Sequence, residues 1–272
     1  MFVENINNLA SSAKAKADYI ENSLLRFIVL AIFAGFFVGI AVMLVFSVAA
    51  PLHAVDSPFT TLVMGASFAL ALSLVIFAGS ELFTGNNLIT IVGYLEVEIN
   101  FKEMSKLSLW GFIGNLLGSI IFAWLVYQSG LISEQPIANF ILNSTEIKMN
   151  LPIMELFFRG VLCNILVTLA IWMSFKVKSD TGKLILIFWC LFAFVASGFE
   201  HSIANMSLFS MGLFIPHPET ITVMGFLRNM IPVTLGNVLG GTFFTGFLYW
   251  YVSNNKEEKD EKKSAFQRNT AL

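Results

Sequence analysis

The sequence predicts an all-α polytopic membrane protein whose six transmembrane helices form two inverted three-helix repeats, with the second and fifth helices broken. Three observations lead there. Of 272 residues, 56% are hydrophobic and 12% charged, whereas a soluble domain carries about 25% charged residues. Six apolar stretches, 24–50, 59–95, 105–128, 152–175, 184–213 and 223–252, match the length of about 20 residues that a helix needs to cross a bilayer. Three short matches, in the same order, relate the first three stretches to the last three.

Taken in order, residues 1–23 place Phe2, Ile6, Leu9, Ala13, Ala17 and Ile20 at spacings of three and four, with polar residues between them. That is an amphipathic helix, expected to pack on the cytoplasmic face and support assembly, with a direct gating role as the alternative. Residues 24–252 make the six-span domain, with repeats at about 24–128 and 152–252. The first span runs too long and lacks the small-residue end of a cleaved signal, so it is expected to be retained. The second is interrupted between Ala78 and Asn87 by Gly79-Ser80-Glu81-Leu82-Phe83-Thr84-Gly85, and the fifth by Gly198-Phe199-Glu200-His201-Ser202-Ile203-Ala204-Asn205-Met206. Between the repeats, Ile137, Phe140 and Ile141 suggest a short interfacial helix. Gly111, Gly114, Gly118, Gly236, Gly240 and Gly241 read as helix-packing seams. Residues 253–272 are charge-rich without periodicity, and a disordered cytoplasmic tail is expected.

The matches are Gly35-Phe-Phe-Val-Gly39 with Gly160-Val-Leu-Cys-Asn164, Glu81 and Asn86 with Glu200 and Asn205, and Gly114-Asn115-Leu-Leu-Gly118 with Gly236-Asn237-Val-Leu-Gly240. Three spans per repeat is an odd number, so the second repeat enters the membrane from the opposite side. The two breaks then face each other near the midplane, where a transporter places its substrate site. Lys14, Lys16, Arg26, Lys102, Lys106, Lys176, Lys178, Lys183 and the tail's lysines all fall on one side of this arrangement. The positive-inside rule makes that side, and both termini, cytoplasmic.

Ionisable residues at membrane depth are costly and mark function. His201 is therefore the candidate pore centre, with Thr84 and Asn164 on neighbouring broken or glycine-bearing spans; a structural hydrogen-bond bridge is the alternative. A histidine gives a hydrogen bond when neutral and a proton when charged, so transient donation from His201 would let an anion cross as its neutral acid. Glu81 and Glu200, with Asn86 and Asn205, read as braces that bond groups freed where the helices break, since a carboxylate in an anion path would repel the permeant. Lys148 is either an interface anchor or a cation that gathers anions at an outer vestibule. His53 and His217 read as solvated loop residues. Cys163 and Cys190 read as small buried hydrophobes. No nucleophile motif, nucleotide-binding glycine pattern or metal-ligand spacing accompanies the Glu-His pair, so neither enzyme nor cofactor nor metal is expected. The net charge of −2, placed at the ends and in loops, gives no nucleic-acid surface.

Several stretches resemble the signatures of the formate/nitrite transporter family: Gly79-Ser-Glu-Leu-Phe-Thr-Gly85, Phe158-Arg-Gly160 with Cys163-Asn164, Ala196-Ser-Gly-Phe-Glu-His-Ser-Ile-Ala-Asn-Met206, and Val233-Thr-Leu-Gly-Asn237. The resemblance covers all six spans and the amphipathic start. It implies an aquaporin-like protomer in a homopentamer in the bacterial inner membrane, passing small monovalent anions such as hydrosulfide, nitrite and formate. A true aquaporin would carry Asn-Pro-Ala at the breaks, and neither break here does. By motif position the resemblance implies His201 as the central histidine, Glu200 as its neighbour and Lys148 as the vestibule lysine. It further implies Leu82 as the cytoplasmic constriction, and Phe68 and Phe194 as the outer one. The wording of both breaks is most similar to the hydrosulfide channels of the family, with the nitrite branch next. A water or neutral-solute channel is the more distant alternative.

Overall fold

The computed structural model describes residues 2–253, and they form twelve α-helices with one short 3-10 turn and one π-helical stretch. Apart from Ser253, the expected tail lies outside the described residues. Helix α1 spans Val3–Asn22 and α2 Leu24–His53, separated by Ser23, whose hydroxyl accepts the Arg26 N–H. Asn5, Ile6, Leu9, Ala10, Ala13, Ala17 and Ile20 of α1 are buried, so its apolar face packs on protein. Asn5 extends the contact, its side-chain amide donating to the Trp172 carbonyl at 3.1 Å.

Helices α3 (Thr60–Phe68) and α4 (Leu70–Phe77) run on through Ala69, whose backbone stays helical. After an extended segment, α5 resumes at Phe83–Leu95. The interruption is therefore shorter than the sequence suggested: Phe83 to Asn87 already lie in the first turns of α5. Helix α6, Phe101–Gln128, opens on a capping box between Asn100 and Glu103. This device satisfies two of the backbone donors that every helix start leaves open. The expected interfacial helix is α7, Ile137–Asn150, with Phe140 and Ile141 buried.

Helix α8 covers Ile153–Lys176, α9 Asp180–Ala196 and α10 Ser202–Phe214. Ser202 to Met206 thus belong to the start of α10, and the second interruption ends at His201. Helix α11, Val223–Leu239, passes into a π-helical stretch at Gly240–Phe247 and then α12, Leu248–Ser253. The five helical stretches 24–53, 60–77, 101–128, 153–176 and 223–253 are long and apolar enough to cross a membrane. The stretch expected as the fifth span is instead shared between α9, of 17 residues, and α10, of 13. The break divides it.

Two close helix pairs hold the breaks in place. On one side a Cβ at Gly35 or Gly118 would strike the backbone of α6 or α2, at Asn115 and Ile32. On the other, a Cβ at Gly160 or Gly236 would strike α11 or α8, at Val233 and Phe157. Small residues let backbones approach this closely in lipid. His53, expected in a loop, ends α2 and stacks on Phe140 with ring centroids 4.2 Å apart. An aromatic neighbour at the helix end makes the imidazole part of the packing of α7.

Candidate functional site

Each break begins where a glycine turns the chain into the left-handed region, Gly79 at φ 78° and Gly198 at φ 73°. L side chains disfavour that conformation and glycine does not. Leu82 and His201 then run extended, so backbone groups around them lose helical partners and must be bonded otherwise. Asn115 of α6 does this for the first break. Its amide donates to the Ala31 carbonyl at 2.8 Å and the Glu81 carbonyl at 2.9 Å, and its oxygen accepts the Phe83 N–H at 2.9 Å. The Glu81 N–H donates to the Leu30 carbonyl at 3.2 Å.

Asn237 of α11 repeats the arrangement at the second break. Its amide donates to Gly160 at 2.8 Å and Glu200 at 2.9 Å, and its oxygen accepts the Ser202 N–H at 2.9 Å. The Glu200 N–H donates to the Arg159 carbonyl at 3.2 Å. These bonds pair Leu30 with Arg159, Ala31 with Gly160, Glu81 with Glu200 and Leu82 with His201. They correct the first of the three sequence matches by one helical turn: Gly35 corresponds to Asn164, not to Gly160. Matching glycines by identity had aligned residues that serve different crossings.

The carboxylates are matched too. Glu81 accepts Lys16 of α1 through both oxygens at 2.6 Å, and Asn86 at 2.9 Å. Glu200 accepts Lys148 of α7, and Asn205 at 2.7 Å. Asn229 ties this second cluster further, accepting from the Asn205 amide at 2.9 Å and donating to the Lys148 carbonyl at 2.9 Å. Lys148, read from sequence as anchor or anion gatherer, is thus ion-paired in the structure. Lys16, Asn115, Asn229 and Asn237 escaped the sequence reading as site residues. For Asn115 and Asn237 the signal was present in the matched Gly-Asn motifs; for Lys16, on the polar side of an amphipathic helix, there was none.

His201 stands between the clusters, 4% exposed. Its Nδ1 accepts the Ala204 N–H at 3.2 Å and so caps α10. With Nδ1 accepting, the neutral ring carries its proton on Nε2, and Nε2–H donates to Thr84 Oγ1 at 2.9 Å. A doubly protonated ring would have to release the Ala204 N–H. The Phe194 ring stacks 5.9 Å from the imidazole, and Phe68 lies 6.4 Å away edge-on. Asn164, expected at the pore centre with His201 and Thr84, donates to the carbonyls of Thr84 at 3.2 Å and Asn237 at 2.6 Å. It reaches the histidine only through Thr84.

Three cavities line up on these residues. The first, about 420 Å³, is bordered by Phe68, Phe194, Lys148, Glu200 and His201. The second, about 780 Å³, is bordered by Lys16, Glu81, Leu82 and Asn86. Between them, a void of about 10 Å³ touches Phe68, Phe194, Leu82 and His201. That is too small for more than about one water. The arrangement offers an ion two largely apolar basins that each carry charged side chains on the wall and, between them, an apolar neck with an imidazole N–H.

A model of the family described as "Formate/nitrite transporter" matches residues 3–251. The chain is 42% identical over 254 residues to the nitrite transporter NirC of Escherichia coli (strain K12), covering 93% of each protein. It superposes on a solved structure titled "FNT family ion channel" with TM-score 0.87 and 41% identity, covering 92% of this chain and 99% of that one. A second, titled "Pentameric formate channel with formate bound", gives TM-score 0.77 at 32% identity and covers 86% and 99%. The chain belongs to the formate/nitrite transporter family.

Proposed function

We propose that the protein is a channel for small monovalent weak-acid anions, with hydrosulfide export as its task. The observation that carries the reading is the neck: His201, Leu82, Phe68 and Phe194 close one void between two cavities. Phe68 and Phe194 form the outer constriction and Leu82 the cytoplasmic one, where apolar narrowing excludes bulk water. A bare anion in such a neck loses hydration worth several kcal/mol, whereas its conjugate acid loses far less. His201 Nε2–H is the donor that receives the permeant, and Thr84, released by it, is the second. Because Nδ1 is held by a backbone N–H, His201 serves as a neutral donor, not as a resident cation. Asn164 positions the Thr84 backbone. Glu81, Glu200, Asn86 and Asn205 brace the breaks, and Lys148 brings anions to the outer cavity while paired with Glu200.

This reading sets the chain as an aquaporin-like protomer of six spans in two inverted repeats, assembled as a homopentamer in the inner membrane with both termini cytoplasmic. Hydrosulfide suits the neck because, of the three anions, it is the strongest base, so the largest share of it is already protonated by cavity water before it reaches the neutral His201 donor. Nitrite is the second reading, favoured by the 42% identity to a nitrite transporter. A competition series of hydrosulfide, nitrite and formate in proteoliposomes at two pH values decides between them. In the same assay His201→Leu is expected to cut flux about tenfold or more, the worth of one hydrogen bond to a buried ion. Unchanged flux and selectivity would remove His201 from the mechanism.

A further inference from the structure

The second cavity is the more positive of the two. Its wall carries three lysines, Lys16, Lys178 and Lys183, against one carboxylate, Glu81. The first cavity's wall carries two cations, Lys148 and Arg159, against Glu200. Lys16 is committed to Glu81. Lys183 reaches Asp180 at 3.1 Å, but that aspartate is 75% exposed and stands off the wall. Lys178 makes no ion pair among the described residues. Lys178 is therefore open to a ligand, and Lys183 can join it by giving up a pair with an exposed carboxylate, which is worth little, in a space of about 780 Å³.

We propose that the second cavity binds a divalent tetrahedral oxyanion, of the sulfate or hydrogen phosphate class, and that this ion plugs the pore from that side. The site follows from the charge of the wall; the plug rests on the channel reading above. A divalent ion gains about twice the Coulomb attraction of a monovalent one. The same charge holds it back. One proton neutralises a monovalent weak-acid anion, but leaves a divalent one still charged, and a charge entering the apolar neck at Leu82 costs several kcal/mol. The ion is drawn in, stops below Leu82 and occupies the basin that a monovalent permeant must share.

Isothermal titration of the full-length purified protein with sodium sulfate and, separately, sodium hydrogen phosphate reads the site, ionic strength being held with sodium chloride. Both are expected to bind saturably. Lys178→Ala should weaken binding about tenfold and the Lys178→Ala, Lys183→Ala pair further, while Lys178→Arg, which keeps the charge, should bind like the wild type. Absence of saturable binding, or equal binding to wild type and double variant, overturns the site. In vesicles, sulfate added to one side and then the other should slow nitrite flux from a single side. Sulfate that binds yet leaves flux unchanged from both sides overturns the plug. Should no monovalent anion cross wild-type vesicles, the channel reading fails and the plug with it, while the titration still decides the site.

Discussion

Replacing Asn237 by leucine tests the frame that holds the second break. The side chain is fully buried and makes three bonds, to the Gly160 and Glu200 carbonyls and from the Ser202 N–H, at 2.8 to 2.9 Å. Leucine is close in volume, so the substitution leaves little cavity and the cost is three lost bonds, with the Glu200 carbonyl and the Ser202 N–H left without partners while the Gly160 carbonyl keeps its place within α8. A buried polar group left unsatisfied costs about 1–3 kcal/mol. Hydrogen bonds between membrane helices average about 0.6 kcal/mol, because the membrane-inserted unfolded chain finds partners too. Three lost bonds at the lower figure and two unsatisfied groups at the upper one bracket the loss at roughly 2–6 kcal/mol. Reversible unfolding in mixed detergent micelles measures it, with Asn115→Leu expected to cost the same at the first break. Thr242→Val is the control: that hydroxyl bonds the Val238 carbonyl within its own helix, and its loss should stay within about 0.5 kcal/mol. If Asn237→Leu is no more costly than this control, the asparagine does not hold the break.

The two glycines at the breaks give a contrasting case. Nothing lies within 4 Å of a Cβ built at Gly79 or Gly198, so alanine at either should cost only the left-handed backbone strain, about 1–2 kcal/mol, in the same unfolding assay. Lys148→Met leaves Glu200, 2% exposed, without its cation. It should destabilise by about 3 kcal/mol, most of which Glu200→Gln in the same chain should restore. The Lys106 hydrogen bond and charge hold the Glu21 carboxyl below its ordinary value. A lowered carboxylate contributes stability above its unfolded pKa and loses it as pH falls through the folded one. Acid should therefore loosen α1 from α6, and carboxyl NMR should show Glu21 return to its usual value in Lys106→Ala.

Apolar length and composition made the helices legible, and the clusters Gly79-Ser80-Glu81 and Gly198-Phe199-Glu200 located the breaks, because a glycine beside an acid has no other comfortable place in an apolar run. Their ends were misjudged. Thr84, Gly85 and Asn86 read as loop residues by type, yet Asn115 supplies the bond that lets the helix restart at Phe83. That partner is 32 residues away and leaves no trace in local propensity. The same holds for Lys16, whose polar setting on α1 looks solvated until the breaks fold beneath it. The role of Asn164 was legible only in part: the sequence shows which spans meet, but not that its amide bonds the Thr84 and Asn237 carbonyls. The π-helical stretch at Gly240–Phe247 carried no signal either, since its glycines also suit ordinary close packing.

Leu82 and His201 occupy one seat in two like frames. In each, the seat's carbonyl accepts an amide N–H four residues on, Asn86 at 2.9 Å and Asn205 at 3.0 Å. The frame's asparagine grips the residues on either side, through Glu81 and Phe83 or through Glu200 and Ser202. The scaffold therefore separates holding from choosing: the backbone fixes the socket, and the side chain in it can be exchanged while the asparagine's bonds stay as they are. Leu82→His would place a second imidazole at the same void. On the channel reading proposed above, this seat is the natural handle for re-engineering selectivity, one residue at a time and from either end of the neck.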